Sequence, residues 1–242
     1  MRLKGSIFKY DAINNLIAFS NNTKSKITII LIGGLDHNLL SLPYTYNLYK
    51  FCKKYKLELI IPQFRSHPHF GIHDINDDIE DLDTLLKSLH NNIILIGNST
   101  GCQDILLYIN KFNNKKIIKC FLQAPVSDTE YKEYPNIKNE YFNFNDVIYK
   151  KSRYDSLYQK YNIEDIFSSY LEINHFKNLN KFNYQLIFII SENDEYVIKS
   201  INKKLKYVPN SKIYIIKNGD HFLTAKKYQK LFLNFIKSEM KL

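Results

Sequence analysis

Ser99 stands in "GNSTG", residues 97–101, with a glycine two positions to either side, and the run "NNIILI" ahead of it is apolar enough for a buried strand. Behind it, "TGCQDILLYINKF" repeats apolar positions at helical spacing. G-x-S-x-G between a strand and a helix is the pattern of a nucleophile elbow, a turn so tight that side chains at Gly97 and Gly101 would collide with it. Such a turn holds the serine in a strained backbone conformation and lifts Oγ above the sheet. It also sets the serine at a helix N-terminus, where N–H groups favour developing negative charge.

A hydroxyl becomes a nucleophile when a histidine takes its proton and an acid orients that histidine. Where such an elbow occurs, the order along the chain is Ser, then Asp or Glu, then His. After the apolar run "YQLIFII" comes "SENDEYV", which offers Asp194 as the acid, with Glu192 and Glu195 as rivals. After "KIYIIKN" comes "GDHFL", which offers His221; the other histidine after the elbow is His175, inside a polar interval. The expected oxyanion donors are the backbone N–H of Thr100 and one from "GGLDHN", either Leu35 or Gly34. Together these residues could transfer an acyl group from an ester, thioester or amide to Ser99 and then to water.

The elements that must position them are legible as apolar runs: residues 26–34, 57–62, 92–97, 116–125, 184–190 and 212–218. Near-continuous Ile, Leu and Phe strands are buried on both faces, as in a parallel sheet covered by helices. Helical patterns at "SLPYTYNLYKFCKKY", "INDDIEDLDTLLKSL", "TGCQDILLYINKF" and "KKYQKLFLNFIKSEM" alternate with them, which predicts a doubly wound α/β sheet. The first 25 residues read as an antiparallel hairpin at its edge. Residues 126–182 break the alternation; they are polar and Tyr-rich, and helices are expected in "NFNDVIYKKSRYDSLYQKY" and "IEDIFSSYLEINHF". So long an excursion from a compact domain reads as a lid.

At 242 residues the chain suits one domain, residues 1–242, with that lid as an insertion. No apolar run is long enough to span a membrane, the start lacks a signal-peptide pattern, and the cysteines are three and scattered, so a cytoplasmic protein is expected. The net charge of +10 invites a polyanion, but it is nearly all lysine and spread over many segments, with Arg2, Arg65 and Arg153 the only arginines. Arginine is the residue suited to bidentate phosphate and base recognition, so no nucleic-acid partner is expected. The loop "QFRSHPHFGIHD" gathers His67, His69, His73 and Asp74, but metallohydrolases use tighter spacing and further ligands, so a substrate-facing or plain surface loop is expected rather than a metal site. Arg65 in the same loop is a candidate for pairing with a substrate carboxylate.

The segments "IGNSTGCQD", "GGLDHNLLSLPY", "QAPVSD" and "SENDEYV" together resemble the siderophore-esterase-like family of α/β-hydrolases, over residues 29 to 221. The resemblance implies an α/β-hydrolase fold and the triad roles for Ser99, Asp194 and His221, with no cofactor. The chain departs from the family pattern at Asn98, where many relatives have His, and at "EYVI", which lacks the usual proline. A carboxylesterase-like serine hydrolase acting on a small-molecule ester is therefore the reading of choice. The alternative is a non-catalytic binding or scaffold protein that retains the fold.

Overall fold

The computed structural model describes residues 2–131 and 137–242. The chain opens with β1 (Ser6–Asp11) and β2 (Leu16–Ser20), an antiparallel hairpin. Strands and helices then alternate: β3 (Ile27–Ile32), α1 (Thr45–Lys54), β4 (Glu58–Pro62), α2 (Ile75–Ser88), β5 (Asn92–Asn98), α3 (Thr100–Lys111) and β6 (Ile117–Gln123). An excursion follows, with α4 (Asp128–Tyr131), β7 (Tyr141–Phe144), β8 (Val147–Lys150), α5 (Lys151–Tyr158) and α6 (Ile173–Lys177). The chain returns through β9 (Leu186–Ser191), α7 (Asn202–Leu205), β10 (Ser211–Ile216) and α8 (Lys226–Met240).

The main sheet runs β1-β2-β4-β3-β5-β6-β9-β10, with β2 antiparallel to both neighbours and every later pair parallel. Both of its faces are buried, and the period-2 geometry of a strand divides each apolar run between them. In β3, Ile30 and Ile32 pack with α2 and α3, whereas Ile29 and Leu31 pack with α1 and α8. The same split separates Ile93 and Leu95 from Ile94 and Ile96 in β5. Helix α2 begins at a capping box, in which the Asp74 carboxylate accepts from the N–H groups of Asn76 and Asp77 while Asp77 accepts from the Asp74 N–H. Among the described residues no helix is long and apolar enough to cross a membrane.

Two expectations for the excursion are corrected. Residues 143–150 are not helical: Asn145 and Asp146, with φ of 50° and 62°, turn the chain between β7 and β8 into a hairpin. Two consecutive residues at positive φ make the turn whose twist suits a hairpin, and Asn and Asp tolerate it best after glycine. The helix expected over residues 163–176 shrinks to α6. Upstream of it, polar side chains satisfy backbone groups that a helix would otherwise use, as Asp165 does for the Tyr161 N–H and Glu130 for the Ser169 N–H. Residues 132–136 of the predicted lid lie outside the described residues.

The excursion is joined to the body of the domain by a buried ionic cluster. The Arg153 side chain on α5, 2% exposed, pairs with Glu164 and donates from Nε to the Phe70 carbonyl at 2.9 Å. Three more carboxylates feel its charge: the buried Asp78 on α2 and Asp104 on α3, and the half-buried Asp128 on α4. One guanidinium cannot balance four carboxylates removed from water, so protons stay on some of them. Burial pushes Asp78 up to about 7 and Asp128 up to about 6, against the pull of Arg153, and drives Asp104 well above the usual carboxylate range. These raised values favour the folded state at low pH, and that contribution is lost as pH rises through the folded values. Asp78→Asn should therefore gain stability relative to the wild type as the pH rises from about 4 to about 7, and keep the higher Tm at pH 8. A thermal-denaturation series over that range checks the divergence, and parallel curves would contradict it.

Candidate active site

Ser99 lies between β5 and α3 with φ 56° and ψ −123°, a backbone conformation that a non-glycine residue holds only when its surroundings enforce it. They enforce it by contact. A Cβ on Gly97 would stand 2.4 Å from the Gly101 carbonyl oxygen, and one on Gly101 would stand 2.7 Å from the carbonyl oxygens of Ile32 and Gly33. Both elbow glycines are thus required because β3, β5 and α3 bring their backbones together at this point. Gly34 faces the serine itself, since a Cβ there would lie 2.7 Å from Ser99 Cβ and 3.3 Å from its Oγ.

Asp194 and His221 emerge from the carboxyl ends of β9 and β10 and meet in a buried pair. His221 Nδ1 lies 2.9 and 2.8 Å from the two Asp194 carboxylate oxygens. The rival acids are used otherwise: Glu195 accepts from the His221 backbone N–H at 3.1 Å, and Glu192 from the Asn218 N–H at 2.9 Å. Asp194 therefore orients the ring while Glu195 anchors its backbone. The rings of Tyr196 and Phe222 flank the imidazole, each with its centroid 4.6 Å away. His175 sits apart, bonded through Nε2 to the Ile166 carbonyl.

Of the two oxyanion candidates after β3, the Gly34 N–H is already committed to His37 Nδ1 at 2.8 Å. That leaves Leu35, whose side chain packs against the aromatic cluster of Tyr149, Tyr154 and Tyr158 in the excursion. Thr100 is the first residue of α3, so its N–H has no intrahelical acceptor. His37 itself was not singled out by residue pattern, although it stands in the quoted "GGLDHN". Burial, and then the charge of nearby His221, lower its pKa, which favours the neutral ring that can accept from Gly34.

Arg65 is a correction. Its guanidinium is taken up by α2, with Nε 2.8 Å from Asp81, Nη1 3.0 Å from Asp77 and Nη2 3.2 Å from Glu80, which leaves it no fork to offer a substrate carboxylate. Two of the loop's histidines have structural partners. His67 is stacked on Phe64 and pushed down to about 4 by burial, and His73 Nδ1 lies 3.3 Å from Asp77. Among the described residues no group of three or more His, Cys, Asp or Glu side chains is placed to hold a metal ion. Cys102 is buried, which raises its thiol pKa, and its Sγ donates to the carbonyls of Gly97 and Gln123.

A further residue, Gln123 at the end of β6, ties these parts together. Its backbone carbonyl accepts from the Ser99 N–H at 3.1 Å, and its side-chain Nε2 donates to the His221 carbonyl at 2.9 Å. Its Oε1 accepts from Asn98 Nδ2 at 2.7 Å and from the Tyr44 hydroxyl at 3.2 Å. The backbones of Ser99 and His221 are therefore held by one fully buried side chain and its own main chain. The only trace of this in the sequence was the segment "QAPVSD", which carries no chemistry by itself.

Comparison with known proteins places this geometry in a family. Residues 1–148 match the profile of a family described as protein of unknown function DUF1749. A UPF0613 protein of Schizosaccharomyces pombe is 27% identical over 237 residues, covering 78% of this chain and 74% of the relative. Among solved structures, siderophore hydrolase EstB from Aspergillus fumigatus superposes with a TM-score of 0.81 at 17% identity, covering 99% of this chain and 98% of that one. Mouse alpha/beta hydrolase domain-containing protein 10 gives 0.74 at 15% identity, covering 98% of each chain. Est1E from Butyrivibrio proteoclasticus, with ferulic acid bound, gives 0.71 at 14% identity, covering 93% of this chain and 94% of that one. These likenesses establish the α/β-hydrolase fold.

Gln123→Leu leaves the His221 carbonyl, the Asn98 amide and the Tyr44 hydroxyl buried without their partner. The expected loss is about 2–4 kcal/mol of stability, read as a drop of several degrees in Tm. An unchanged Tm would show that these bonds do not hold the loop.

Proposed function

The chain belongs to the DUF1749 family, and on that footing we propose that it is a serine hydrolase of the carboxylesterase type, cleaving a small ester, thioester or amide. The observation that carries the proposal is the convergence of the elbow serine and the buried Asp194–His221 pair on Gln123. In the reaction, Ser99 Oγ attacks the acyl carbon while His221 takes its proton as general base. The N–H groups of Thr100 and Leu35 hold the oxyanion of the tetrahedral intermediate. His221 then gives the proton to the leaving group, and the acyl-enzyme remains on Ser99. A water molecule, deprotonated by His221 in turn, attacks the acyl group and restores the hydroxyl. Asp194 fixes the tautomer and steadies the imidazolium between these steps.

The excursion at residues 126–182 acts as a lid in this reading and sets which acyl and leaving groups enter. Its contact with Leu35 places its aromatic cluster beside the proposed oxyanion donor. A substrate of small-molecule size is supported by the esterase and hydrolase names of the structural neighbours. A reducing, cytoplasmic setting suits the buried free thiols of Cys52, Cys102 and Cys120.

A fluorophosphonate probe should label the protein and fail to label Ser99→Ala or His221→Ala. Asp194→Asn should slow turnover of a short-chain aryl ester by roughly 10⁴-fold. Folded wild-type protein that neither reacts with the probe nor turns over any ester of an acyl-chain panel would overturn the assignment and favour a scaffold that has kept the fold.

A further inference from the structure

The positive charge that looks scattered along the chain is gathered in space. Helices α1 and α8 lie side by side on one face of the sheet and together carry seven lysines: Lys50, Lys53 and Lys54, then Lys226, Lys227, Lys230 and Lys237. Their single carboxylate, Glu239, is buried and is used by Lys119, Lys212 and Tyr214 at the sheet. These two helices thus supply a net +6 of the chain's +10.

Between them runs a groove of about 500 Å³ lined by five of those lysines, namely 50, 54, 226, 230 and 237, and by no acidic residue. None of the five has a carboxylate within ion-pair distance among the described residues. Folding does not account for this arrangement. Lys50 and Lys54, and likewise Lys226 and Lys230, are four residues apart on a helix, where like charges repel. Lys226 and Lys227 open α8, the end at which the helix dipole disfavours cations, and no acid accompanies them in that turn. The floor is apolar and aromatic: Phe51 and Tyr55 pack with ring centroids 4.7 Å apart and planes tilted by 50°, beside Leu233. Two of the ammonium groups lie over Tyr55, Lys54 at 5.4 Å and Lys237 at 5.8 Å.

We propose that the α1–α8 groove is a binding site for a small polyphosphorylated ligand, its phosphates held by the lysine rims and an aromatic or apolar portion resting on Phe51 and Tyr55. Lysine suits this role as a flexible point charge toward phosphate, without the bidentate fork that base reading needs. The concave shape favours a discrete anion over a flat lipid surface or an extended nucleic-acid strand, and the aromatic floor favours a nucleotide-like body.

The test is calorimetric and thermal-shift titration of the full chain with ATP, tripolyphosphate and adenosine at low ionic strength. ATP and tripolyphosphate should each bind saturably and raise Tm, adenosine alone should do neither, and 0.5 M salt should abolish both effects. Replacing Lys50, Lys54, Lys226 and Lys230 together by Ala should weaken ATP binding at least tenfold, whereas Lys9→Ala on β1 should leave it unchanged. Tighter binding of ATP than of tripolyphosphate would confirm the role of the aromatic floor. The site is refuted if neither anion binds, if the fourfold variant binds as well as the wild type, or if only phosphatidylserine vesicles or single-stranded RNA bind.

Discussion

Three backbones meet at the elbow with no space between them for a methyl group. The end of β3, the end of β5 and the first turn of α3 approach so closely that a Cβ at Gly97 or Gly101 would press on a carbonyl oxygen. That approach fixes the direction in which α3 leaves the sheet, which in turn places Thr100 at its N-terminus and holds Ser99 at φ 56°. The strain on one residue is offset by the burial of the two faces around it. The neighbouring strands then bring Asp194 and His221 to the same edge, because β6, β9 and β10 are parallel and in register with β5.

The division of charge through the molecule follows a second constraint. Several carboxylates are drawn inward, where they stay partly protonated around Arg153 or, like Asp165, accept from a backbone N–H group. Apart from Lys119, which pairs with Glu239, the lysines remain outside, because an ammonium with no partner cannot leave water at acceptable free energy. The result is a protein with a buried acidic cluster at the joint between excursion and sheet and, on the opposite face of the sheet, a run of lysines on α1 and α8 that are unpaired among the described residues.

Much of this was legible in the sequence for one reason: strands buried on both faces cannot hide their composition. The apolar runs, the hairpin, the elbow and the Asp194–His221 pairing all rest on local patterns that tertiary packing reinforces. What was not legible depends on long-range partners. Arg65 reads as a free cation in "QFRSHPHF" until α2 folds three carboxylates against it. Gln123 reads as the polar end of a strand until residues far along the chain supply its acceptor and donors. The segment 143–150 reads as the start of a helix continuing to Tyr161 and becomes a hairpin because Asn145 and Asp146 accept positive φ, a choice that side-chain periodicity does not record.

The excursion leaves the sheet after Gln123 and returns at Leu186, on strands that are immediate neighbours, with Cys120 directly opposite Leu186. The two strands are parallel, so the excursion must carry the chain from the carboxyl end of β6 back to the amino end of β9 as a crossover, and the sheet order would be the same however long that crossover were. An insertion with that geometry can lengthen, shrink or be exchanged through evolution while the eight strands and the residues at their ends stay in place. The strand ends and the excursion are thus free to diverge at different rates, with the Arg153 cluster among the fittings that any replacement must either reproduce or dispense with.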